Sequence, residues 1–166
     1  MNIYDYQRPV GKILDNQRLR TEFIRQYDAK SHKEMALFSM AYGKHLIEIT
    51  AYPEDTEIKA SFIAIQRWLD GLTNYHEARN ISGEISTLAR NEKDPIKVRF
   101  YRTMAQMSAV THVKYHGLWM TDFAITLINR MFPDDEEAVS KERQYQIILL
   151  QSIDSTMIEK IGNEKR

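Results

Sequence analysis

His112 and His116 stand at i and i+4 in the run His112-Val113-Lys114-Tyr115-His116, so on a helix both imidazoles project from one face. Imidazoles at this spacing can ligate a divalent metal. A catalytic zinc also needs a third protein ligand and an open position, and no Glu follows the first His as it does in the His-Glu-x-x-His signature. Glu77, His76 or Asp122 would have to supply that ligand. The other side chains with chemical potential fall in the same block: Trp68, Gly71, Glu77-Ala78-Arg79, Ala89-Arg90, Arg102 and Gln106. If they line a cleft, Trp68 is an aromatic wall and Glu77 a general base. If they are interior, Glu77 pairs with an arginine and holds the histidines, because a buried charge without a partner costs several kcal/mol. Trp68, Glu77, Arg79, Arg102, Gln106, His112 and His116 are therefore the candidate cleft or buried polar network. No nucleophile motif, glycine-rich phosphate loop or paired-carboxylate signature accompanies them, so no catalytic, cofactor-binding or metal-binding residue is assigned.

The elements that must position this block read as helices. Ser31 with Glu34 and Asn74 with Glu77 have the spacing of capping boxes, and Asp94-Pro95 reads as an N-cap followed by proline in the first turn. Apolar residues recur at spacings of three and four, as in Met35, Phe38, Tyr42, Leu46 and Ile49. No sustained period-two strand competes with them. The expected helices cover 16–28, 31–51, 55–70, 74–91, 95–110, 112–131 and 136–158, with Pro53, Gly71 and Pro133 between them. A single helix from Pro95 to Phe132 would run about 55 Å, so a break is expected near Thr111. The segment Tyr115 to Asn129 carries one charge before Arg130, Asp122, and is apolar almost all round, which predicts a central helix. Ala78, Ser82, Ser86 and Ala89, beside Gly83, form a small-residue row that would let a neighbouring helix approach closely. The fold expected is an all-α, single-domain bundle over 1–166, of about six to seven helices, with Asn163 to Arg166 fraying.

Composition narrows the function classes. The 166 residues and 43% apolar content support one hydrophobic core. There is no cysteine, hence no disulfide framework or thiol nucleophile, and a cytoplasmic protein is expected. Met1 to Val10 mix Asp5, Arg8 and tyrosines and lack the pattern of a signal peptide, and no apolar stretch is long enough to span a bilayer. With 23 basic against 23 acidic residues the formal charge is zero, which argues against nucleic-acid binding. Arg90, Lys93, Lys97, Arg99 and Arg102 cluster, as do Asp134-Asp135-Glu136-Glu137; both runs read as solvated faces or helix ends. Tyrosine and methionine near the termini would support a homodimer.

The order of these motifs resembles a family. Trp68-x-x-Gly71, Glu77-Ala78-Arg79, Ala89-Arg90, then Arg102-x3-Gln106-x2-Ala109-x2-His112-Val113-x2-His116 is similar to helical bacterial proteins described as immunity proteins of polymorphic toxin systems. The resemblance covers roughly 31–131, with flanking helices expected in 1–30 and 132–162. Met104, Met107 and Ser108 stand where such members are alanine-rich. What the resemblance implies is an antidote that binds a cognate toxin domain and blocks it, without catalysis and without a cofactor. The readings from other classes are a small metal-dependent enzyme using the His112/His116 pair, and a general helical scaffold.

Overall fold

The computed structural model describes residues 2–6, 10–154 and 156–157. Two strands, β1 (Asn2–Tyr6) and β2 (Gly11–Asp15), precede seven helices: α1 (Gln17–Asp28), α2 (His32–Thr50), α3 (Thr56–Leu69), α4 (His76–Asn91), α5 (Pro95–Ala109), α6 (Tyr115–Met131) and α7 (Glu136–Ser152). The helices form a single domain, as the apolar spacing predicts. The expected end of the last helix at 158 and the fraying of Asn163 to Arg166 lie outside the described residues.

The hairpin corrects the sequence reading, which placed no strand at the amino terminus. β1 and β2 pair antiparallel in the register Asn2↔Asp15 to Tyr6↔Gly11, and Gly11 takes φ +73, the left-handed region that favours glycine. On β2 the inward positions are Ile13 and Asp15, both buried. An acid at an inward position breaks the apolar alternation by which a half-buried strand is recognised. Ile13 packs on Ile125, Ile128 and Val139, a small second core between the hairpin and α6/α7. The Asn129 amide then acts as a substitute strand: its Oδ1 accepts from Leu14 N at 2.8 Å and its Nδ2 donates to Leu14 O at 3.0 Å. That closes an edge that would otherwise present unpaired backbone groups.

Helix ends follow their caps. Ser31 and Glu34 form the reciprocal capping box, and Asp94 Oδ1 accepts from Ile96 N with Pro95 in the first turn. The Asn74–Glu77 box does not form; Asn74 Oδ1 caps His76 N and α4 begins there. The break near Thr111 is present, with 110–114 turning the chain so that α5 and α6 run antiparallel. α6 is central, with every residue from Met120 to Ile128 buried.

Two close approaches fix the packing. α4 and α5 meet along the small-residue row: Ser82 Oγ donates to Ala105 O at 2.8 Å, Ser108 Oγ to Ala78 O at 2.6 Å and Thr111 Oγ1 to Tyr75 O at 3.1 Å. Gly83 lies off this contact, with open space beside it. At Gly43 on α2 a Cβ would come 2.5 Å from Met107 Sδ, so α2 and α5 pack as they do because that position has no side chain.

Candidate functional site

The side chains singled out from sequence separate into three places. Trp68 is half-buried on α3 and packs tilted on His32, ring centroids 4.8 Å apart, while His32 Nε2 lies 2.5 Å from Val110 O. Trp68 thus ties α3, the start of α2 and the α5–α6 corner together, and lines no cleft with the others. Glu77 pairs with Arg67 at 3.2 Å, their side chains 38% and 45% exposed. Arg79 and Arg90 are exposed on α4. The internal Glu77–arginine network expected from sequence is therefore corrected: those charges sit at the surface, where pairing is worth little.

Arg102, Gln106, His112 and His116 come together on the outer surface of α5, α6 and the turn between them. Residues 99, 102 and 106 share one face of α5, and 116, 119, 123 and 130 the facing side of α6. Gln106 Oε1 lies 2.8 Å from His116 Nδ1, so the ring N–H donates to the amide and Nε2 keeps its lone pair. Burial, and then the neighbouring His112, hold His116 below the usual imidazole range, which keeps it neutral at pH 7.

Around this pair the structure gathers rings that the sequence did not connect. Centroid separations run 4.1 Å from His76 to Tyr75, 5.0 Å from Tyr75 to His112 and 6.2 Å from His112 to His116. They continue at 4.6 Å from His116 to Tyr115 and 5.5 Å from Tyr115 to Trp119. Tyr115 is 42% and Trp119 36% exposed, comparable with Phe132 and Tyr145 at 45% and 39% elsewhere on the surface. The row exists because the close α4–α5 contact carries Tyr75 to the α5–α6 corner, a tertiary fact without a local sequence signal. Among the described residues no group of three or more His, Cys, Asp or Glu could hold a metal ion, so the His112/His116 pair has no third ligand there.

Beyond Gln106 the same surface becomes basic. Arg99, Arg102, Arg130 and Lys93 border a depression of about 340 Å³ with Val98 and Phe123 as its apolar wall. Burial, and then the charges of Arg130 and Arg102, lower the pKa of Arg99.

The buried polar network lies elsewhere and sequence reasoning missed it. Arg143 on α7 is fully buried; its Nε and Nη2 donate to Asp15 at 2.9 and 2.7 Å, and Nη2 also to Asp122 at 2.9 Å. Arg20 adds a bidentate pair to Asp122 at 2.9 Å. Burial alone would raise Asp15, but the Arg143 hydrogen bonds and charge outweigh it and hold Asp15 below the usual carboxylate range. The network continues through Gln146 and Tyr42 to Glu142 and His45. His45 stacks on Tyr145 at 3.7 Å at the mouth of a 530 Å³ depression. Asp122 was the available signal, a lone acid on an otherwise apolar helix. The Asp134–Glu137 run is a helix start, with Asp135 Oδ1 capping Ala138 N.

The model of the Imm-5 like putative immunity protein family matches residues 25–153, well over half of the chain. The chain belongs to that family. The Imm-5 like match runs from the end of α1 through α7 and includes the whole ring row, while the hairpin precedes it. Membership in this immunity family implies a toxin partner in general terms. No curated protein and no solved structure matches the chain. Among the described residues, no helix is long and apolar enough to cross a membrane.

Proposed function

We propose that the protein is a non-catalytic antidote that binds the toxic domain of a cognate bacterial toxin and blocks it. The contact face is the outer surface of α5, α6 and the start of α4. The observation that carries this reading is the row His76, Tyr75, His112, His116, Tyr115 and Trp119, a run of tilted ring contacts partly open to solvent. Aromatic side chains anchor protein interfaces because they bury large areas and lose little rotamer entropy. Here tilted contacts between neighbouring rings already restrain most of them, so less ordering remains to oppose association. Sites of action follow from that geometry: Tyr115 and Trp119 are the anchors, and Gln106, His112, His116 and Arg102 the polar surround. Cytoplasmic residence is part of the same proposal, since an antidote must meet its toxin where the toxin would act.

The test is binding of the toxic domain encoded beside the gene to the wild-type chain and to Tyr115→Ala and Trp119→Ala variants. Truncating an anchor of this kind weakens binding by about 2 kcal/mol or more, roughly thirtyfold. Unchanged affinity in both variants, with an intact fold, sinks the assignment of the face.

A further inference from the structure

Of the four partly or fully buried arginines among the described residues, Arg143 and Arg20 have found an acid. Arg143 holds Asp15 and Asp122, Arg20 holds Asp122, and on the surface Arg67 and Arg25 pair with Glu77 and Glu22. The other two, Arg99 and Arg102, meet at the depression between α5 and α6. Arg99 and Arg102 come from one face of α5 and Arg130 from the end of the antiparallel α6, and among the described residues no carboxylate is within ion-pair distance of any of them. Arg130 stands in the last turn of its helix, where a cation meets the negative end of the helix dipole. Arg99 and Arg102 lie inside α5 and have no such reason to be there.

Bringing three guanidinium groups together without a counter-charge costs free energy, and Arg99 is half-buried where screening by water is reduced. The cost is recovered when an anion enters, because each planar fork can hold a carboxylate by two parallel hydrogen bonds. Val98 and Phe123 give the methylenes of an acidic side chain an apolar wall to lie on. The whole chain is neutral, 23 basic against 23 acidic residues, so it has no broad field for a polyanionic backbone, only this confined cluster. Arg102 is one helical turn from Gln106, and Phe123 one turn from Trp119, so the cluster adjoins the ring row on the same surface.

We infer that the Arg99–Arg102–Arg130 depression is an acid-binding subsite of the toxin interface, receiving neighbouring Asp or Glu carboxylates from a surface segment of the toxin. It rests on the proposed antidote function for the source of those carboxylates, and not for the affinity of the site itself. Two measurements separate the two.

In the first, the full ¹⁵N-labelled chain is titrated at low salt with hexaglutamate, while the arginine Nε–Hε resonances are followed by NMR. Saturable shifts confined to Arg99, Arg102 and Arg130 are expected, fading as salt is raised and weakened roughly tenfold by Arg102→Gln, the loss of about one charge-assisted hydrogen bond. No shift at millimolar peptide overturns the site, and tighter saturation by a mixed-sequence RNA dodecamer or by inorganic phosphate overturns the assignment to a protein acid. The melting temperature of Arg99→Gln and Arg102→Gln should hold or rise, since each removes repulsion; a marked fall makes the cluster structural and overturns the inference. In the second, the toxic domain is offered to the wild type and to Arg102→Gln. Binding by the wild type and equal binding by the variant defeats the subsite alone, whereas no binding by the wild type defeats the antidote reading and leaves the titration to judge the site.

Discussion

Removing Arg143 should be among the most damaging single changes available to this fold. The guanidinium is 0% exposed, as is the Asp15 carboxylate it holds, and Asp122 beside them is 5% exposed. In Arg143→Met the volume is kept and the charge is lost. Among the described residues Asp15 then retains only Tyr6 Oη at 2.5 Å and Asn16 N at 2.7 Å as donors, whereas Asp122 keeps both bonds from Arg20. The uncompensated group is therefore Asp15. Breaking a buried pair in this way costs about 3–5 kcal/mol, against a total stability of about 5–15 kcal/mol for an ordinary domain. At about 2–4 °C per kcal/mol for a chain of this size, the melting temperature should fall by about 6–20 °C. Calorimetry and urea unfolding read this directly. Adding Asp15→Asn to Arg143→Met should recover a good part of the loss by removing the stranded charge. A loss below about 1 kcal/mol, the range of an exposed pair, or no recovery in the double variant, would refute the reasoning.

Acid should weaken the wild type in two stages. His116 in the fold lies below its unfolded value, so its contribution is full above about pH 6.5 and is lost as pH falls through the folded value; His116→Gln should flatten that part of a urea-midpoint profile. Asp15 is also depressed, so its contribution is full above about pH 4 and is lost as pH falls through its folded value; Asp15→Asn should abolish that later slope. Glu77→Ala should change stability by less than about 1 kcal/mol in thermal melts, because its partner Arg67 is at the surface. Asn129→Ala should cost about 1–2 kcal/mol and speed hydrogen exchange at the Leu14 amide, since it removes the side chain that closes the hairpin edge.

What could be read from sequence was whatever is local. The Ser31–Glu34 box, Asp94-Pro95 and the three-four apolar spacing act within a few residues, so helix positions were legible, as was the all-round apolar α6. The hairpin was not, because β2 buries Asp15, and the arginine that permits this lies in α7, 128 residues away. An interior arginine does need an acid, but the interior arginine is Arg143 and not Arg79 or Arg90. Arg143 stands in Lys141-Glu142-Arg143-Gln144, which looks like a solvated stretch, whereas Arg79 and Arg90 follow alanines and look interior. On the candidate face, Gln106 and the two histidines could be placed by helical spacing. Tyr75 joins them only through the α4–α5 contact, and Arg130 joins Arg99 and Arg102 only because α6 folds back along α5.

The central claim is that this immunity-family chain protects by binding, and growth rescue tests it most directly. A heterologous host expresses the toxic domain encoded beside the gene, with the wild-type chain, with the Tyr115→Ala/Trp119→Ala double variant, or with neither. The account predicts survival with the wild type, co-purification of the two proteins, and death with a folded double variant. Death in the presence of well-expressed wild type, under a toxin shown to be active, would contradict it.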